Sequence, residues 1–205
     1  MSGNINSVIF DLGGVLIDWN PEYLYRKIFA GNDEKMKWFL ENICTPDWNM
    51  EQDAGRSFDT ACKLLIEQHP EYRMEIQVFF DRWEEMIKGE INGTVLILNE
   101  LKRLNKVKLY ALTNWSSETF PIAKRKYSCL KQFEGIVVSG EEKTRKPFNK
   151  IYEITLDRFN LKPENCLFID DSIDNIRKAK EMNFNTIHFN NPSQLKAEIQ
   201  NMGLL

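Results

Sequence analysis

Short apolar runs that stop abruptly at polar side chains set the rhythm of this chain. Val8-Ile9-Phe10 runs straight into Asp11, and Leu12-Gly13-Gly14 follows. Lys108-Leu109-Tyr110-Ala111-Leu112 ends in Thr113-Asn114, and Cys166-Leu167-Phe168-Ile169 ends in Asp170-Asp171. Ile136-Val137-Val138-Ser139 and Thr186-Ile187-His188-Phe189 share the same texture. Runs this short, rich in branched and aromatic residues, predict buried strands. Between them the apolar spacing becomes helical: Val95, Leu96, Leu98, Leu101 and Leu104, then Ile151, Ile154, Leu156 and Phe159, with a further helix over 174–182. Asn191-Pro192 predicts the start of a last helix, with Asn as N-cap and Pro in the first turn. Strands and helices alternate from Gly93 onward, which predicts an α/β fold built on a doubly wound, mostly parallel sheet.

The stretch from Asn20-Pro21 to Gly89 has a different pattern. Aromatic and charged residues interleave at helical spacing, as in Tyr23, Leu24, Ile28 and Phe29, then Ala61, Leu64 and Leu65, then Ile76, Phe79, Phe80, Trp83 and Ile87. No β-rich run is evident, and Pro46 and Pro70 break the helices. The expected organisation is a core of residues 1–16 and 92–205 with a small α-helical cap, residues 17–91, inserted after the first strand. A plain helical elaboration covering the sheet is the alternative. The position directly after the Asp11 turn favours a lid.

Composition narrows the function. The chain has 205 residues, a formal net charge of −3 and a pI near 5.6. Neither nucleic acid nor an anionic membrane is an expected partner. The apolar runs are far too short to span a bilayer. Met1 to Asn6 lacks a basic segment followed by an apolar one, so a cytoplasmic protein is expected. Cys44, Cys62, Cys129 and Cys166 show no CxxC spacing and are expected as reduced, mostly buried thiols.

If the strands are parallel, their polar ends gather on one rim, where open α/β sheets bind ligands. That rim would hold Asp11, Thr113, Asn114, Asp170 and Asp171. Thr144-Arg145-Lys146-Pro147 would add a cation from the loop between the last two motifs. A carboxylate at a strand end can act as nucleophile, metal ligand or both. The ordered set of Asp, Thr, Lys and an acidic pair resembles the haloacid dehalogenase-like (HAD) superfamily of hydrolases, outside about residues 17–91. That resemblance implies a Rossmann-like core and an aspartyl-phosphate formed on Asp11. It implies Mg²⁺ held by Asp11, the Gly13 carbonyl and Asp171, with Asp170 near the ion. Lys146 would neutralise the Asp11–phosphate pair, and Thr113 and Asn114 would donate to phosphate oxygens through hydroxyl and backbone N–H.

Gly13 departs from the pattern of the family's phosphatases, most of which carry a second aspartate there as general acid and base. Losing such a group typically costs roughly 10²- to 10⁴-fold in rate. A cap carboxylate, Asp18, Asp47 or Asp53, is one substitute. A leaving group that needs little protonation is another. The third reading is a metal-free 2-haloacid dehalogenase, which displaces halide and needs no acid, but such enzymes lack the acidic pair. A weak binding or regulatory protein on this scaffold is a further alternative. The Asp-Leu-Gly turn also resembles a bacterial subgroup that includes a sugar-1-phosphate phosphatase. The favoured reading is a Mg²⁺-dependent phosphatase of small phosphorylated metabolites, sugar phosphates first, acting as monomer or homodimer. Within the cap, Arg56 in Glu51-Gln52-Asp53-Ala54-Gly55-Arg56 is expected to meet an anionic group of the substrate. Trp19 and Trp48 are candidates for sugar stacking or for packing, and His69 and His188 read as structural.

Overall fold

The computed structural model describes residues 5–205. Most of the N-terminal segment read for a leader, residues 1–4, lies outside them. Strand β1 (Ser7–Phe10) leads to a turn and β2 (Ile17–Trp19), followed by helices α1 (Glu22–Ile28), α2 (Asp33–Asn42), α3 (Pro46–Asp53), α4 (Phe58–Gln68) and α5 (Arg73–Asp81). The chain returns through β3 (Ile87–Glu90) into α6 (Asn92–Leu104), β4 (Lys108–Thr113), α7 (Phe120–Lys126), β5 (Gly135–Val138) and α8 (Ser139–Glu142). It ends with α9 (Asn149–Phe159), β6 (Cys166–Asp170), α10 (Ile173–Glu181), β7 (Asn185–His188) and α11 (Pro192–Asn201).

Five strands form one sheet in the order β5-β4-β1-β6-β7, and every neighbouring pair is parallel. Phe10 lies beside Ala111 on one side and Ile169 on the other, so β1 is central and its residues are buried on both faces. Parallel strands must cross over to return, and the helices between them cover both faces. One apolar cluster joins Val8, Phe10, Leu109 and Leu167 to α6 and α11, while Ile9, Leu112 and Phe168 pack on the other side against Ile151, Tyr152 and Ile176 of α9 and α10. Asn191 caps α11 by accepting from the Gln194 N–H at 2.9 Å, with Pro192 in the first turn, as its sequence predicts.

The insert is mostly helical, but it contains strand as well. β2 and β3 form a two-stranded antiparallel ribbon at its two ends, a feature the hydrophobic pattern did not predict. Each strand is only three or four residues long, and Gly89 sits at φ +144. Pairing rather than side-chain alternation defines these strands. Ser139, read from sequence as the end of a strand, begins α8 instead. The helices enclose an aromatic cluster in which Tyr25 lies 5.1 Å from Phe39 and 6.2 Å from Phe79 between ring centroids. Its hydroxyl donates to the Glu75 carbonyl at 2.8 Å, so the buried oxygen is satisfied. All four cysteines are free and buried. No helix among the described residues is long and apolar enough to cross a membrane.

Candidate active site

The parallel sheet places Asp11, Thr113 and Asp170 at one edge because each stands at or just beyond the C-terminal end of its strand. The Asp11 N–H donates to the Ile169 carbonyl at 2.8 Å, extending the ladder past β1 and fixing the residue beside β6. The Leu12 N–H donates to Asp11 Oδ1 at 2.7 Å, and Lys146 Nζ lies 3.0 Å from the same oxygen. Both contacts use Oδ1 and leave Oδ2 free of them.

Lys146 is buried and completely committed. Besides Asp11 it reaches Asp170 Oδ2 at 2.7 Å and donates to the Leu112 carbonyl at 3.0 Å. Burial opposes its charge, but Asp11 and Asp170 outweigh that and hold the ammonium above its usual pKa. Its position is set by Asn114: the Lys146 N–H donates to Asn114 Oδ1 at 2.9 Å, and Asn114 Nδ2 donates to the Lys146 carbonyl at 3.0 Å. The Asn114 side chain therefore clamps the lysine loop. Arg145, beside Lys146 in the same loop, stacks its guanidinium over Phe148.

One oxygen from each of Asp11, Asp170 and Asp171 lies within 4.8 Å of the others. Asp170 spends its oxygens on protein partners: Oδ1 accepts from the Ser172 N–H at 2.8 Å and from Asn175 Nδ2 at 3.0 Å, and Oδ2 from Lys146. Asp171 is exposed, and its carbonyl lies 2.9 Å from His188 Nε2, which steadies the turn. Burial raises the Asp11 pKa, with Asp170 and Asp171 adding to the rise while Lys146 opposes it; the carboxyl is pushed up to about 8. Asp171 is raised by the same two causes, burial and Asp170. Three crowded carboxyls against one ammonium leave excess negative charge, and hard oxygen donors of this kind suit a divalent cation such as Mg²⁺. The residues present therefore fit the metal that the sequence implied.

The two glycines of the turn differ sharply. Gly14 sits at φ +73, and a Cβ there would lie 2.2 Å from Asp171 Oδ2. A Cβ at Gly13 would meet nothing within 4 Å. A side chain at position 13 is thus missing but not forbidden. Thr113 Oγ1, at the end of β4, is buried without a hydrogen-bond partner.

Beside the acidic cluster lies a cavity of about 80 Å³, lined by Gly13 and Asn114 and walled by Trp19, Phe58, Trp83 and Trp115. Asp53 also lines it. Arg56 does not. Its Nε donates to Gln52 Oε1 at 2.7 Å and its Nη2 to the Trp48 carbonyl at 2.9 Å. Arg56 thus folds back along α3, held by the Gln52 side chain and by the Trp48 carbonyl of the helix's first turn. Trp48 packs edge-on against Phe79 with centroids 5.0 Å apart, inside the insert. Asp18 accepts from the Tyr23 hydroxyl at 2.9 Å, and Asp47 is exposed. Asn175 and the clamping role of Asn114 were not anticipated. Their only trace in the sequence is an amide one helical turn after Asp170-Asp171 and another after Thr113.

The profile of haloacid dehalogenase-like hydrolases matches residues 5–183. The chain belongs to this family. It is 26% identical over 188 residues to a sesquiterpene phosphatase from Aspergillus oryzae, covering 92% of this chain and 91% of that one. It is 23% identical over 187 residues to a phosphorylated carbohydrates phosphatase from Thermotoga maritima, covering 90% and 84%. A crystal structure of a HAD family enzyme from Bacteroides thetaiotaomicron, in a magnesium complex, superposes with a TM-score of 0.71 at 21% identity, covering 92% of this chain and 95% of that one.

Proposed function

We propose that this HAD-like hydrolase is a Mg²⁺-dependent phosphatase acting through an aspartyl-phosphate on Asp11. The observation that carries the proposal is the cluster of Asp11, Asp170 and Asp171 with the buried Lys146 bridging the first two, at the sheet edge where β4 ends in the unpartnered Thr113 hydroxyl. Phosphatase relatives and a magnesium-bound structural neighbour support it. A phosphate dianion will not approach a lone carboxylate unless the site supplies compensating positive charge and donors. Asp11, the Gly13 carbonyl and Asp171 would hold Mg²⁺, which when bound supplies the positive charge facing the phosphate. Lys146 holds Oδ1 of Asp11 and orients Oδ2 toward phosphorus. Thr113 Oγ1 and the Asn114 N–H would donate to phosphate oxygens. Asp170, its oxygens already engaged, would position Lys146 rather than ligate the metal.

The residues of the insert, 17–91, act in this reading as a cap that supplies the wall over the leaving group. Four aromatic rings and small size point to a compact leaving group with an apolar face, which the C–H face of a sugar ring provides. A small sugar phosphate is thus the favoured substrate. Gly13 favours a second reading, halide displacement from carbon by Asp11. The cluster of Asp11, Asp170 and Asp171 weighs against it, because metal bound to Asp11 would blunt attack on carbon.

The deciding measurement is phosphate release from a panel of sugar and acyl phosphates, with Mg²⁺ and then with chelator, beside halide release from 2-chloropropionate. Mg²⁺-dependent phosphate release that vanishes in Asp11→Asn is the expected result. Chelator-insensitive halide release would overturn it.

A further inference from the structure

Among the described residues lining the cavity beside Gly13, Asp53 carries the one side chain able to exchange a proton near neutral pH. Its polar neighbours there are Asn49, Asn114, Ser116 and Thr119, and the Asn114 amide is already committed to Lys146. Asp53 is the last residue of α3, and the turn after it is fixed against the core. Gly55 sits at φ +99, and a Cβ there would come within 3.2 Å of both the Gly140 carbonyl and the Lys143 side chain of the α8 segment. Three residues on, the Phe58 N–H donates to Glu118 Oε1 at 2.7 Å. The carboxyl is thus presented from a docked backbone to the cavity that Gly13 also lines.

We propose that Asp53 is the general acid and base of the reaction, supplying from the insert the carboxyl that position 13 lacks. This rests on the phosphatase reading above. In the first half-reaction Asp11 Oδ2 bonds to phosphorus and the bond from phosphorus to the leaving oxygen breaks. That oxygen keeps the electron pair and takes the proton of the Asp53 carboxylic acid, so the alcohol departs neutral. In the second, the Asp53 carboxylate removes a proton from water as the water oxygen bonds to phosphorus. The Asp11–phosphorus bond breaks, its electrons return to the Asp11 carboxylate, and inorganic phosphate leaves with Asp53 reprotonated. The surroundings suit both roles. Burial raises the Asp53 pKa to about 7, and Arg145, Lys146 and the Ser116 backbone amide limit the rise. A group poised there serves equally as donor and acceptor at neutral pH.

Wild type, Asp53→Asn and the double variant Gly13→Asp/Asp53→Asn would be compared on a sugar phosphate and on p-nitrophenyl phosphate, with saturating Mg²⁺ and with folding checked by circular dichroism. Asp53→Asn is expected to lose roughly 10²- to 10⁴-fold in turnover of the sugar phosphate. Nitrophenolate leaves without a proton. On that substrate the variant should release a burst of about one nitrophenol per enzyme, followed by slow turnover as the aspartyl-phosphate accumulates. The decline in wild-type turnover above pH about 7 should vanish in Asp53→Asn. The double variant should recover part of the loss, since a side chain at position 13 meets no obstruction. Turnover within threefold of wild type, or equal losses on both substrates with no burst, would overturn the assignment. A wild type that releases no phosphate from either compound would instead overturn the phosphatase reading, and the role of Asp53 with it.

Discussion

Asp11 stands under two opposed demands. The proposed nucleophilic role requires it to be ionised, yet it is buried beside Asp170 and Asp171, which favour the protonated form. Lys146 answers only part of that, because it also serves Asp170. The remaining imbalance should show in stability. A carboxyl whose folded pKa lies above its unfolded value gives the fold its full stability below the unfolded pKa of about 3.8 and forfeits that advantage as pH rises toward about 8. In the presence of chelator, Asp11→Asn is therefore expected to raise the melting temperature at pH 8, with a smaller gain at pH 5. An equal gain at both pH values would mean that its charge is not the strained element. The sequence made the acid set legible, since each member follows an apolar run. It could not reveal the division of labour between Asp170 and Asp171, because that depends on Asn175 and the Ser172 N–H reaching back from the next helix.

The elements of the core were readable because their periodicities are strong and their stops are chemical. The insert was readable as helices but not as a ribbon: β2 and β3 exist through pairing with each other across the whole insert, and no local pattern encodes that. Arg56 misled for a related reason. A cation after a helix looks available in sequence, whereas the Gln52 side chain and the Trp48 carbonyl of α3 claim it. At this scale the contact to test is between α4 and the loop after β4. Glu118 accepts from the first-turn N–H of Phe58, which serves as a helix cap supplied from outside the insert. Removing a capping acceptor costs about 1 kcal/mol. Glu118→Ala is expected to speed hydrogen exchange at the Phe58 amide about fivefold while leaving amides of the central sheet protected. Unchanged exchange there would mean that the contact does not hold α4.

For the molecule as a whole, metal held at the acidic rim, as proposed, would add to stability. A ligand that binds only the folded state at a hundred times its dissociation constant adds about 2.7 kcal/mol. Mg²⁺ is expected to raise the melting temperature of the wild type, and far less that of Asp171→Ala; equal shifts in both would place the ion elsewhere. The sheet order was beyond sequence reasoning, since parallel pairing joins residues remote in the chain and leaves no short-range signature. That order also bears on how the protein is made. β1 leaves the ribosome before both its partners, since it pairs with Lys108–Ala111 on one side and Cys166–Ile169 on the other. For most of translation the nascent chain carries an apolar strand with no neighbour, and the central sheet closes only after β6 emerges. The helical insert, rich in local contacts, can assemble long before that. Newly synthesised chains truncated before β6 should accordingly engage chaperones and yield to protease within β1, even where the insert has already become resistant.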